Sequence, residues 1–248
     1  MHNWVQHFGS RVESPLAYFY NGEGDMSHEE KTRIAYSIAQ FERGESSEAM
    51  DFLGKCQRFE AKTELRGFHD ETIVFVAEEN FHSKLLRTFM EHHGIPRRDH
   101  SWTDLIFRVI RHAGNLAWTS RVLVTAEIFA QVYYPALRVA TANPVLARIC
   151  DRIIEDEDYR IEFQAEHIAL AEASYGIFRR TFMACAHWIL FVGTLAVVAL
   201  DHRSVLFHTL TLRTYFVESV QRFRCLLNQI SVYGKSRAWL PAQEASAG

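Results

Sequence analysis

The sequence predicts an all-α protein with a single domain over residues 1–248. Only five prolines and 12 glycines occur in the chain, so helices are rarely interrupted. Apolar residues recur at helical spacing along most of its length, and no stretch alternates as a half-buried strand would. Hydrophobic residues make up 48 % of the composition, which is enough to fill a substantial core.

Capping residues and glycines divide the chain into helices. Residues 1–26 are expected to form an irregular arm that packs loosely, and residues after 230 are expected to fray. Ser27 and Glu30 form a capping box that opens a helix to about 41, with Gly44 as its stop. Asn143 followed by Pro144 predicts a helix end and a new start. The other predicted helices span about 46–65, 70–93, 101–112, 116–141, 145–174, 178–202 and 212–230.

Composition also narrows the class of protein. The net charge is −3 and no basic run occurs, so we expect no nucleic-acid partner. The four cysteines are far apart and make no CxxC pattern, which predicts reduced core thiols in a cytoplasmic protein. The first residues lack the charged and apolar segments of a signal peptide.

One motif carries recognisable chemistry. Glu79 and His82 lie three residues apart in the predicted helix 70–93, so both side chains point to one side of it. A carboxylate and an imidazole placed in this way are typical of a metal-ligand pair. Glu157 and Arg160 repeat the spacing downstream, with arginine in place of the second histidine.

Two further glutamates lie on the apolar faces of other predicted helices. Glu48 shares a helix face with Phe52 and Cys56, and Glu127 is the only acidic residue of the helix 116–141. A buried carboxylate is costly to ionise unless it is paired or bound to a metal. Glu127 is therefore either a metal ligand or a protonated or hydrogen-bonded core residue. Each glutamate belongs to a helical hairpin, and two packed hairpins would bring all these groups to the centre of a bundle.

These residues resemble the ferritin-like di-iron carboxylate superfamily over roughly residues 45–170. The resemblance implies a four-helix bundle with a core at about 45–175 and accessory helices at 177–230. It implies one or two iron or manganese ions, held by the following ligands: Glu48, Glu79, His82, Glu127 and Glu157. Glu78 and Asp156 match positions that often orient the metal-bound histidines in this family.

The resemblance also implies a function. It suggests a metal-dependent oxidase or oxygenase that acts with O2 on a small, largely apolar molecule. The alternative is a non-catalytic metal-binding or structural dimer on the same fold. The family's activities are diverse, so the resemblance names no particular substrate.

Arg160 departs from the family pattern, because an arginine keeps its proton and cannot bind a metal. We expect one strong metal position near Glu79 and His82, with the second position weakened or lost. A second interpretation turns Arg160 outward to pair with Asp156. A third keeps the fold and loses the metal.

Residues 181–200 carry no formal charge and are long enough to span a bilayer. We prefer a fully buried helix, covered by the bundle or by a second subunit in a homodimer, to a membrane span. His202, just beyond this stretch, is expected at the surface because it lies near a helix end.

Overall fold

The structure is a computed structural model that describes residues 4–9, 24–45, 49–63, 67–98 and 102–237. Every element within these ranges is a helix, which confirms the all-α prediction. In chain order the helices are α1 (Trp4–Gly9), α2 (His28–Glu45), α3 (Ala49–Thr63), α4 (Phe68–His92), α5 (Trp102–His112), α6 (Leu116–Ala140), α7 (Pro144–Ala171), α8 (Ile177–Asp201), α9 (Arg203–Thr209) and α10 (Leu212–Arg237).

The predicted helix starts are formed by the expected side chains. The Asn143 side chain accepts hydrogen bonds from the backbone N–H groups of Val145 and Leu146, and Pro144 fills the first turn of α7. Ser27 Oγ accepts a bond from the backbone N–H of Glu30. The Glu30 side chain does not bond back to Ser27 to complete the box; it accepts bonds from the turn between α6 and α7.

Four details of the predicted helices are wrong. Residues 4–9 form a helix with Trp4 and Phe8 buried, where we expected part of a loose arm. Gly44 lies inside α2 and does not end it. The short helix α9 was not predicted, and α10 continues beyond 230 to Arg237. The remaining predicted tail lies outside the described residues.

Four helices form a closed ring around the centre of the molecule. α3 packs on α4, α4 on α7, α7 on α6 and α6 on α3. Outside this ring, α2 packs on α4, α8 and α9 pack on α6, and α10 packs on α7 and α6. α1 closes one end, where the Trp4 indole N–H donates to Glu166 Oε2 at 2.9 Å. The helices that carry Glu79, Glu127 and Arg160 thus face one another.

Helix α8 is only partly covered by the bundle, and its predicted cover by a second subunit stays a prediction. Only one stripe points inward, namely Met183, His187, Phe191, Thr194 and Val198. Most of the outward residues are exposed, including Ile189 at 75 % and Phe178 at 90 %. Within the described part of the chain, this helix alone has the length and apolar composition to cross a membrane.

The burial of the cysteines also differs from the prediction. Cys56 and Cys150 are buried free thiols, as expected of core residues. Cys185 and Cys225 are free but exposed, because they lie on the outer faces of α8 and α10. The prediction of four core thiols is therefore wrong for two of them.

Candidate functional site

Arg160 lies at the centre of the helix ring and is only 1 % exposed. Its Nη2 donates to Glu79 Oε1 at 2.8 Å and to Glu127 Oε1 at 3.0 Å. Its Nη1 lies 2.9 Å from Nδ1 of His82. The guanidinium also stacks over the Phe75 ring, with 5.0 Å between Cζ and the ring centroid. One side chain from α7 thus joins residues of α4 and α6.

These contacts determine the tautomer of His82. An arginine N–H can only donate, so Nδ1 of His82 must accept and carries no proton in this arrangement. The ring proton then lies on Nε2, which is 2.9 Å from Asp156 Oδ2 and donates to it. Arg160, His82 and Asp156 therefore form a directed chain of hydrogen bonds inside the core.

Asp156 is held in its ionised form. Burial alone would raise its pKa, but hydrogen bonds from His82 and from Arg152 outweigh burial and lower the pKa below its usual value. The Arg152 contact is 2.8 Å from Nε to Oδ2. Arg160 does not turn outward to pair with Asp156, as one interpretation of the sequence required; Arg152 takes that place.

Glu157 and Glu78 are both fully buried. Glu157 Oε1 lies 3.9 Å from Nη1 of Arg160. In a formal count, the carboxylates of Glu79, Glu127 and Glu157 place three negative charges against the one positive charge of Arg160. The described centre therefore has a formal net negative charge. This net charge is the property in which the centre most resembles a cation site.

The described residues do not fit a dinuclear metal centre as they stand. Glu79, Glu127 and His82 each direct a ligand atom at the Arg160 guanidinium, where a metal would have to lie. Across the described ranges, no three His, Cys, Asp or Glu side chains are arranged to hold a metal ion. Glu48, the remaining candidate ligand, lies outside the described residues, immediately before α3.

A cavity of about 170 Å³ opens onto this centre. Glu79, Glu127 and Arg160 form one part of its wall, and Phe41, Phe129 and Val198 are among its apolar lining. Asp201, Arg108 and Arg111 also line it, so three acidic and three basic side chains balance formally. The lining is thus largely apolar, with charged side chains of both signs at fixed places.

His202 lines the same cavity and is buried, so its predicted surface position is wrong. The Ser37 hydroxyl donates to the Tyr133 hydroxyl at 3.0 Å and lies 2.8 Å from His202 Nδ1. Burial lowers the pKa of His202 to about 3, so its ring is neutral at physiological pH. Ring contacts with Phe41 and Tyr133 also hold the imidazole in place.

A second buried arginine joins α8 to the ring. Arg121 on α6 makes a two-point ion pair with Glu172, with distances of 2.8 and 2.9 Å. Its Nη1 donates to Nδ1 of His187 at 2.8 Å, and Nε2 of His187 lies 3.0 Å from Thr125 Oγ1. Burial and the positive charge of Arg121 lower the pKa of His187 well below its usual value. Through His187, the middle of α8 is thus hydrogen-bonded to the ion pair of Arg121 and Glu172.

Comparison with protein-family models, with curated proteins and with solved structures finds no match. The resemblance to the ferritin-like superfamily therefore depends on the residues and their spacing alone.

Sequence reasoning located the centre but missed most of the cavity wall. Arg108, Arg111, Asp201 and His202 come from α5 and from the end of α8, which carry no motif. Arg152 could have been found, because it lies four residues before Asp156 on the same helix face. The pairing of Arg121 with Glu172 joins separate elements, and no local spacing indicates it.

Proposed function

We propose that this chain is a ferritin-like helical bundle that binds a small, uncharged, largely apolar molecule without a metal ion. The observation that carries the proposal is the position of Arg160, which bonds to Glu79, Glu127 and His82 and also lines the cavity. The guanidinium supplies the positive charge that the carboxylates need. It also supplies hydrogen-bond donors at a fixed place on the cavity wall.

The size and charge of the cavity support the class of ligand. An apolar cavity of roughly 150 Å³ is large enough to bind benzene. The formally balanced lining favours an uncharged molecule, because a charged one would leave an excess charge in a poorly solvated space. One polar group on the ligand could bond to Glu79, Glu127 or Arg160, while its ring contacts Phe41 and Phe129.

Binding of benzene, toluene, benzyl alcohol and indole tests this proposal. Titration followed by calorimetry or methyl NMR should show saturable binding of at least one of them, and benzoate should bind more weakly than benzyl alcohol. Ala126→Phe places a ring in the cavity from its open wall and should weaken binding at least tenfold. Ala61→Phe, at an exposed position of α3, is the matched control and should leave binding unchanged. The proposal is wrong if no probe saturates, or if both variants bind alike.

A metal-dependent oxidase or oxygenase that acts with O2 is the second candidate. Two observations favour it: Asp156 holds His82 with Nδ1 turned toward the centre, and the carboxylates there exceed the arginine in formal charge. One iron or manganese ion would balance two negative charges, but Arg160 would have to move away from the ligand atoms it now bonds. Metal analysis of the purified chain separates the two candidates: the first expects no stoichiometric metal, and the second expects at least one ion per chain.

A further inference from the structure

The outer face of α8 carries a regular apolar seam with no cover in the described structure. Phe178, Phe182, Cys185, Ile189, Val192 and Ala196 are all exposed. Their separations alternate between four and three residues, which is the pattern of a helix that packs along another helix. α8 has 25 residues and is therefore about 37 Å long, so the seam is extensive.

A bilayer does not suit this helix. His187 lies near the middle of α8 and bonds to Arg121, which is ion-paired with Glu172. A membrane-spanning α8 would carry that charged pair to the depth of the hydrocarbon, where charged groups are costly. The neighbouring α10 adds Glu218 and Arg222, whose side chains are only about one-third exposed and pair with each other. The seam therefore needs a proteinaceous cover.

We propose that a second copy of this chain covers the seam, with the two α8 helices antiparallel about a two-fold axis between Leu190 and Phe191. In this register Ile189 faces the partner's Val192, Cys185 faces the partner's Ala196, and Phe182 faces the partner's Ala199. The large ring of Phe182 thus meets a small residue, and the seam is complementary to itself, as a two-fold interface requires.

The charges at the ends of α8 favour the antiparallel direction. Arg179 and Arg180 lie in its first turn and are exposed. An antiparallel pair brings the first-turn arginines of each copy toward the negative, C-terminal end of the partner's helix. A parallel pair would instead place the arginines of the two copies against each other.

Sedimentation or light scattering of the full chain tests the assembly. The native protein should be a dimer at micromolar concentration, and Ile189→Glu should weaken its self-association at least tenfold while the helical circular-dichroism signal is kept. Val139→Glu, at a 68 % exposed position of α6, is the matched control and should remain dimeric. A monomeric native protein, or an Ile189→Glu variant that still dimerises normally, would overturn the proposal.

Cysteine cross-linking tests the direction. With Cys225→Ser as the background, Ala196→Cys should give a disulfide-linked dimer on mild oxidation, because Cys185 then faces the new thiol. The background itself should stay uncross-linked, and adding Cys185→Ser to Ala196→Cys should abolish the product. Cross-linking of the background through Cys185 alone would indicate a parallel pair and overturn the register.

Binding to phosphatidylcholine vesicles tests lipid as the cover. If the native chain binds the vesicles, forms no dimer in solution, and loses vesicle binding in Ile189→Glu, the seam belongs to lipid and a second copy is rejected.

Discussion

Arg160 Nη1 donates a hydrogen bond to Nδ1 of His82 across 2.9 Å, from α7 to α4. Asp156 accepts a hydrogen bond from Nε2 of the same imidazole, so Nδ1 is the nitrogen left to accept from Arg160. The histidine is therefore oriented as a metal ligand would be, while an arginine occupies the position in front of it.

Removal of the guanidinium should destabilise the fold strongly. Arg160→Met leaves the buried Glu127 and the partly buried Glu79 without their shared cation, and breaking a buried ion pair in this way costs about 3–5 kcal/mol of unfolding free energy. Urea unfolding followed by circular dichroism measures the loss. Arg152→Met is the control and should cost less, because the Arg152 side chain is 20 % exposed. Equal stability of Arg160→Met and the native chain would contradict the role of Arg160.

Replacement of Arg160 by histidine should create a metal site. The guanidinium would no longer occupy the centre, and a second imidazole would join His82 and the carboxylates. We expect the purified Arg160→His variant to bind Fe(II) or Mn(II) at least tenfold more tightly than the native chain, as measured by calorimetry with metal analysis. His82→Ala combined with Arg160→His should lose most of that gain. Stoichiometric, tight metal in the native chain would instead favour the second candidate function.

Stability should fall as the pH drops below the usual pKa of histidine. His202 has a lowered pKa of about 3 in the folded protein, so between that value and about 6.5 the unfolded chain binds more protons. For His202 alone the unfolding free energy should fall by about 2 kcal/mol between about pH 7 and about pH 5. Urea midpoints across this range provide the measurement. His202→Gln should show a shallower dependence, with the remainder due to His187 and His93, whose pKa values are also lowered; an unchanged slope would count against this assignment.

The first helix should contribute to stability although it has only six residues. Trp4 is buried against Phe163 and Phe8, and its indole N–H bonds to Glu166. Trp4→Ala should therefore cost about 3–5 kcal/mol, the usual range for loss of a core tryptophan. Trp4→Phe retains most of the apolar contact and should cost less. Thermal unfolding of both variants measures the difference, and a native-like Trp4→Ala variant would show that α1 packs loosely after all.

Local signals predicted the helices well because the helix ends are formed locally. Asn143 and Pro144 need only their own neighbours to end one helix and start the next. The helix α1 escaped prediction because such a short helix is marginal by itself and depends on the tertiary burial of Trp4 and Phe8. Gly44 did not stop α2, because a single glycine weakens a helix by only about 1 kcal/mol, which packing can offset.

The candidate site was predictable in its helices but not in its bonds. Hairpin spacing anticipated that Glu79, Glu127 and Glu157 would approach one another. The direction of Arg160 was not predictable, because an arginine on a helix can turn to solvent or to the core. Its partners on α4 and α6, distant in the sequence, decide between the two.

The positive charge at the centre of this bundle does not have to be supplied from outside the chain. A metal ion has to be acquired from the cell and can be withdrawn by a chelator or changed by oxidation. The charge of Arg160 is part of the polypeptide, because a guanidinium keeps its proton in proteins. It is present from the moment the chain is synthesised, and it is the same whether iron is scarce or abundant.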